Sequence, residues 1–125
     1  MIPYFVKTLR EGRSVNLTHI DMTRFWIPLD WAVKYLIRTY PDAYVNQAMI
    51  PPTMKAAPLI QVVDCLAELM GIGDYETVIT GIRPGEKVHE AIRSAHSPFP
   101  MDSKTSTQYS RAELMVILEP FVGVR

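Results

Sequence analysis

One cysteine in 125 residues, Cys65, excludes an internal disulfide, and it has no CxxC neighbour for redox or zinc chemistry. The three histidines, His19, His89 and His96, are dispersed without ligand spacing, so no metal is expected. Thirteen basic residues are balanced by thirteen acidic ones, which leaves no net field to draw nucleic acid. No apolar run approaches the roughly 18 residues of a membrane span. The opening MIPYFVKTLREGR has neither a charged n-region nor a small-residue cleavage site. A cytoplasmic chain is therefore expected, without nucleic acid or membrane as partner, and with Cys65 as a small buried hydrophobe on a helix. The six glycines are scattered, and none forms the G-x-G-x-x-G turn that seats a dinucleotide pyrophosphate.

What is present is ordinary globular material: 48% apolar and 21% charged residues, wrong for disorder. The length suits a single domain, 1–125, able to bury about two thirds of its unfolded surface. Ile2, Phe5, Val6 and Leu9 recur at helical spacing over 2–11. Residues 15–20 alternate as a short strand, and 22–27 read as a second extended piece. Pro28 then opens a helix to Thr39. Residues 43–50 read as a strand, 59–70 as an apolar helix stopped by Gly71 and Gly73, and 75–80 as a strand. A short helix is expected over Val88–Arg93, followed by a polar loop over 94–109. Ser110 with Glu113 forms a capping box for a last helix over 111–118. The class is α/β or α+β: a small sheet of three or four short strands packed with about five helices.

The stretch TGIRPGEKVHE, residues 80–90, concentrates charge at a bend. A strand ending at Gly81 delivers Arg83 to a rim, and Pro84-Gly85 makes a tight turn. Arginine offers a planar fork for phosphate oxygens, while Glu86 accepts hydrogen bonds and suits sugar hydroxyls. Either the pair grips a phosphorylated sugar, or the charges merely neutralise one another on a wet surface. Arg24, in MTRFWIPLD, sits among apolar residues where an unpaired guanidinium is costly. Asp21 or Asp30 could partner it, and so could a ligand phosphate.

HIDMTRFWIPLDWAV and GIRPGEKVHEAI together resemble the C-terminal, substrate-binding part of the UDP-N-acetylglucosamine 4,6-dehydratase family. These are CapD-like extended short-chain dehydrogenase/reductases of polysaccharide biosynthesis. MIPYFVKTLREG and IPPTMKAAPLIQVVDCLAEL are similar to the family's flanking and linking stretches, so the likeness spans roughly 1–95. Residues 96–125 form a loop and helix that match only loosely. The resemblance implies that Arg24 meets a nucleotide diphosphate, that Arg83 meets the diphosphate or the ribose, and that Glu86 meets ribose hydroxyls. It gives Lys87 and Glu90 a surface or structural place.

The family's NAD-binding doubly wound domain has no counterpart here. Its catalytic Tyr-x-x-x-Lys pair is missing too, since Tyr4 and Lys7 are spaced differently. No catalytic residue is therefore assigned, and NAD is expected only if a separate cofactor-domain partner exists. The reading is an orphan nucleotide-sugar-binding lobe for UDP or a UDP-sugar, inactive alone. Alternatives are a subunit of a split NAD-dependent dehydratase or epimerase, and a non-binding oligomeric scaffold. Helix faces bearing Phe5, Leu9, Trp31 and Leu36 are expected to lie bare, so that a second copy or a cofactor-domain chain covers them. Tyr109 and Phe121 are expected to anchor the core.

Overall fold

Apolar spacing decides which helix surfaces meet. The computed structural model describes residues 1–42, 51, 53–93 and 101–123. Helix α1, Ile2–Arg10, carries Pro3 in its first turn, where a missing N–H breaks no helical bond, and buries Phe5, Val6 and Leu9. Helix α2, Leu29–Thr39, follows Pro28 and leads into a 3₁₀ turn at Tyr40–Asp42. Helix α3, Leu59–Leu69, is the centre of the core and buries Leu59, Val62, Val63, Cys65 and Leu66. Helix α4, Arg111–Val122, runs beyond the predicted end at 118 and buries Leu114 and Leu118 in the same cluster. Its start is the predicted capping box: the Glu113 N–H donates to Ser110 Oγ, and the Ser110 N–H donates to the Glu113 carboxylate at 2.9 Å.

The strands are short and form separate pairs. Strand β1, Val15–Leu17, runs parallel to β4, Thr77–Ile79, with Val15 opposite Thr77 and Leu17 opposite Ile79. Val15 and Leu17 are buried and Asn16 is exposed, the alternation expected of a half-buried strand. Strand β2, Thr23–Phe25, pairs antiparallel with β3, Ala56–Pro58, placing Arg24 opposite Ala57. Single bridges from Thr23 to His89 and from Ala56 to Gln108 widen this pair on both sides. Strand β5, Ala91–Ile92, and strand β6, Met101–Asp102, make a third antiparallel pair.

The mixed α/β class holds, with four helices and three small sheets among the described residues. The helix expected over Val88–Arg93 is absent. Its backbone groups are taken by neighbours instead: the Thr23 N–H donates to Val88 O at 3.1 Å, and the Ser103 N–H donates to Glu90 O at 2.8 Å. Strand pairing across the molecule outweighs local helical spacing there. The strand predicted over 43–50 lies outside the described residues. Two packing expectations also change. Phe5 and Leu9 are buried, only 2% and 3% exposed, because α3 and α4 cover α1. Phe121 is 44% exposed, whereas Tyr109 does anchor, its hydroxyl donating to Trp26 O at 3.1 Å.

Among the described residues, helix α2 and the turn after it carry a continuous stripe of uncovered apolar side chains. Only Tyr35 is buried on the helix. Leu29, Val33, Leu36, Ile37 and Tyr40 recur on one face at helical spacing, and Leu36 and Ile37 are 63% and 70% exposed.

Candidate functional site

Two parallel strands and one turn build the charged corner. After β4, the Thr80 N–H donates to Leu17 O at 2.9 Å and holds the strand end against β1. The Glu86 N–H donates to Arg83 O at 3.0 Å across Pro84 and Gly85, and Gly85 has φ 83°. Proline at the second position and a positive-φ glycine at the third make a type II turn, which a side chain at position 85 would strain. The Glu86 carboxylate clamps this turn from outside. One oxygen accepts from the Arg83 N–H at 3.2 Å, and the other accepts from Thr18 Oγ1 at 3.1 Å.

The Arg83 side chain is left on the rim. It is exposed, and among the described residues no carboxylate pairs with its guanidinium. Beside it lies a hollow of about 620 Å³ lined by Tyr4, Asn16, Thr18, Thr80, Gly81 and Arg83, among others. Tyr4 comes from α1, Asn16 is the outward residue of β1, and Thr18 follows β1. The sequence did not mark these three, because nothing local distinguishes them from other polar surface.

Arg24 has a different situation. Its Nη1 donates to Thr23 O at 2.7 Å and to Val88 O at 3.0 Å, while Nη2 donates to Lys87 O at 3.0 Å. Nη2 also lies 3.0 Å from the Met22 sulfur, and Nε is 3.6 Å from Glu90 Oε1. The guanidinium, only 14% exposed as a side chain, is thus satisfied by the chain itself. Its carboxylate partner is Glu90, neither of the two aspartates considered from sequence. Asp30 faces Lys34 at 3.7 Å, and Asp21 faces His19 at 4.0 Å. Glu90 is structural, as the motif implied, and also accepts from the Phe25 N–H at 2.8 Å.

Arg24 does not line the hollow at Arg83. The two regions meet through Met22 and Thr18, since the Met22 sulfur is 3.0 Å from Arg24 and 3.4 Å from Thr18 Oγ1. The Thr18 hydroxyl has one proton and faces both this sulfur and Glu86; the charged oxygen is the stronger acceptor. A second relay fixes the segment after the turn. Thr23 Oγ1 lies 2.8 Å from His89 Nδ1 and 2.7 Å from the fully buried Ser103 Oγ, which accepts from the Glu90 N–H at 2.8 Å.

Elsewhere, burial raises the Cys65 thiol pKa and marks it as inert. The Glu113 carboxyl is lowered to about 2 by the Lys55 ammonium and by hydrogen bonds from Ser110. Neither group borders the hollow at Arg83. The strand-to-helix junctions at Pro28, at Pro58 and between Asp102 and Arg111 carry no glycine of the kind that lets a pyrophosphate approach the backbone.

Residues 1–113 match the model of a family described as polysaccharide biosynthesis protein. The chain is 34% identical over 98 residues to the inverting UDP-N-acetylglucosamine 4,6-dehydratase of Campylobacter jejuni, covering 76% of this chain and 27% of that protein. It is 26% identical over 131 residues to the capsular polysaccharide biosynthesis protein CapD of Staphylococcus aureus, covering 98% of this chain and 22% of that one. The chain thus spans about a quarter of the length of these curated relatives. The X-ray structure of Pen from Bacillus thuringiensis superposes with a TM-score of 0.75 at 21% identity, over 98% of this chain and 45% of that one, a likeness of fold. By the extent of the family match, this chain belongs to the polysaccharide biosynthesis protein family, alongside UDP-N-acetylglucosamine 4,6-dehydratase and CapD.

Proposed function

We propose that this stretch is the nucleotide-sugar-binding lobe of a sugar-nucleotide dehydratase-type protein, and that it holds UDP or a UDP-sugar without itself supplying the chemistry. The observation that carries the reading is Arg83, whose guanidinium no carboxylate pairs among the described residues and whose backbone is held on a clamped type II turn beside a concave hollow. Its fork meets the diphosphate oxygens at two points. Glu86 takes a ribose hydroxyl through the lone pairs its two internal hydrogen bonds leave free. Arg24, outside the hollow, holds the segment that follows the turn through the carbonyls of Lys87 and Val88. Family membership supports the ligand class, since one relative's name specifies a UDP-sugar.

Calorimetric titration with UDP tests this. Saturable heat whose midpoint moves to much higher UDP concentration in Arg83→Ala supports the reading; no heat up to millimolar UDP ends it.

A second reading, in which the lobe belongs to an NAD-dependent unit, is favoured by the bare stripe on α2. Five apolar side chains in register on one helix face are a surface for another protein layer. The candidates are a cofactor-binding domain, in this polypeptide or a separate chain, and a second copy of the lobe. NAD would then be held by that other layer.

A further inference from the structure

Both tryptophans of the chain line one hollow, and it is not the hollow at Arg83. Trp26 follows β2, its N–H donating to Lys55 O at 3.1 Å. Trp31 comes from the first turn of α2, its ring parallel to that of Tyr35 at a centroid distance of 5.4 Å. Tyr109 forms a third aromatic wall, pinned through its hydroxyl to Trp26 O. Met54 and Lys55 complete the side facing β3. The space is about 450 Å³, within the roughly 300–1,000 Å³ of small-molecule sites.

Charge selects the class of occupant. Among the described residues of the lining Lys55 is the one that is charged, and it is already paired with Glu113 while its ammonium lies 5.4 Å from the Tyr109 ring centroid. A phosphate or carboxylate would have to compete with Glu113 for that ammonium. A cation would meet an occupied carboxylate. The rest of the described lining is aromatic and aliphatic apart from Thr53 and Thr107. Trp26 offers its ring rather than its indole N–H, because Nε1 is buried and does not reach the accessible surface. The matching ligand is neutral, has an apolar face, and carries its polar groups around its rim.

A pyranose ring has that form, with C–H bonds on its faces and hydroxyls at its edge. We propose that this hollow is a saccharide site taking one neutral pyranose unit against its aromatic walls. It shares no residue with the proposed nucleotide hollow, so either assignment can fail without the other.

Because Trp26 and Trp31 are the chain's two tryptophans, fluorescence of the full chain reports on this hollow alone. The probes are methyl α-D-glucopyranoside and N-acetylglucosamine, titrated to the order of tens of millimolar, where binding as weak as millimolar still saturates. The expected result is a saturable emission change with at least one sugar, unaltered by prior saturation with UDP. Trp31→Ala and Lys55→Gln should each weaken it about tenfold, corresponding to 1.4 kcal/mol. Should either variant fold poorly, the two indole N–H signals in the NMR spectrum of the unmodified chain give the same readout. No shift in emission or indole signals with either sugar overturns the proposal. So does an emission that changes with protein dilution and ignores sugar, which would make the hollow a protein interface.

Discussion

Glu86 and Thr18, 68 positions apart in the chain, are joined by a hydrogen bond of 3.1 Å. That bond ties the end of β1 to the turn carrying Arg83, and the second carboxylate oxygen fixes the Arg83 backbone itself. The position of the rim arginine is therefore decided by a residue from the first fifth of the chain.

Affinity for UDP should follow that tether. Arg83→Ala removes charge-assisted hydrogen bonds of roughly 1.5–3 kcal/mol, so binding should weaken about 10- to 100-fold. Thr18→Val leaves the guanidinium in place and loosens its support, for a smaller loss of about threefold to tenfold. Calorimetry on both variants measures the order, and an equal or larger loss in Thr18→Val would contradict the assignment of direct contact to Arg83.

Arg24 is expected to act on stability first. Arg24→Met removes the donor to Lys87 O and one of two donors to Thr23 O and Val88 O, and leaves Glu90 without its cation. A cost of about 2–4 kcal/mol is expected, read as a lowered urea midpoint. Arg24→Lys should recover little, because a single ammonium cannot span several carbonyls. An unchanged midpoint in Arg24→Met would remove the structural role.

Acid should weaken the fold through Glu113. Its carboxyl is held at about 2 in the folded chain, below the roughly 4.3 of an unfolded glutamate. A lowered folded value means the contribution is complete above about pH 4.3 and is lost as pH falls toward 2. Thermal midpoints measured across that window should fall less steeply in Glu113→Gln than in the unmodified chain. The pair is exposed, so added salt should shrink the difference.

The α2 stripe predicts association. Sedimentation velocity should show concentration-dependent self-association that Leu36→Lys with Ile37→Lys abolishes, since both side chains are exposed and neither supports the core. A monomer at all concentrations would leave a second copy without support.

Cys65 should be silent. It is fully buried with a raised pKa, so a thiol reagent should react only as the chain unfolds, with the rate tracking urea. Rapid labelling of the native protein would show that α3 opens locally.

Local rules were legible wherever a feature depends on neighbours in sequence. The capping box at Ser110 and Glu113, the proline-glycine turn at 84–85 and the apolar face of α3 all follow from spacings of a few residues. The stretch 88–93 misled because its apolar spacing suits a helix, while its backbone partners, Thr23 and Ser103, lie far away in the chain. Arg24 was rightly marked as needing a partner, but its acceptors are mostly backbone carbonyls, which sequence pattern cannot point to. Tyr4, Asn16 and Thr18 were missed for a related reason: each becomes part of a hollow only when α1, β1 and β4 meet.

The amino-acid sequence by itself determined the family motifs, the existence of helices α1 to α4 and the chemistry available at the corner, because propensity, capping and turn formation act over a few bonds. Tertiary structure decided which arginine is spent on the chain and which is left open. That choice depends on distances between segments brought together by burial of the α1, α3 and α4 faces, and no short-range rule contains them.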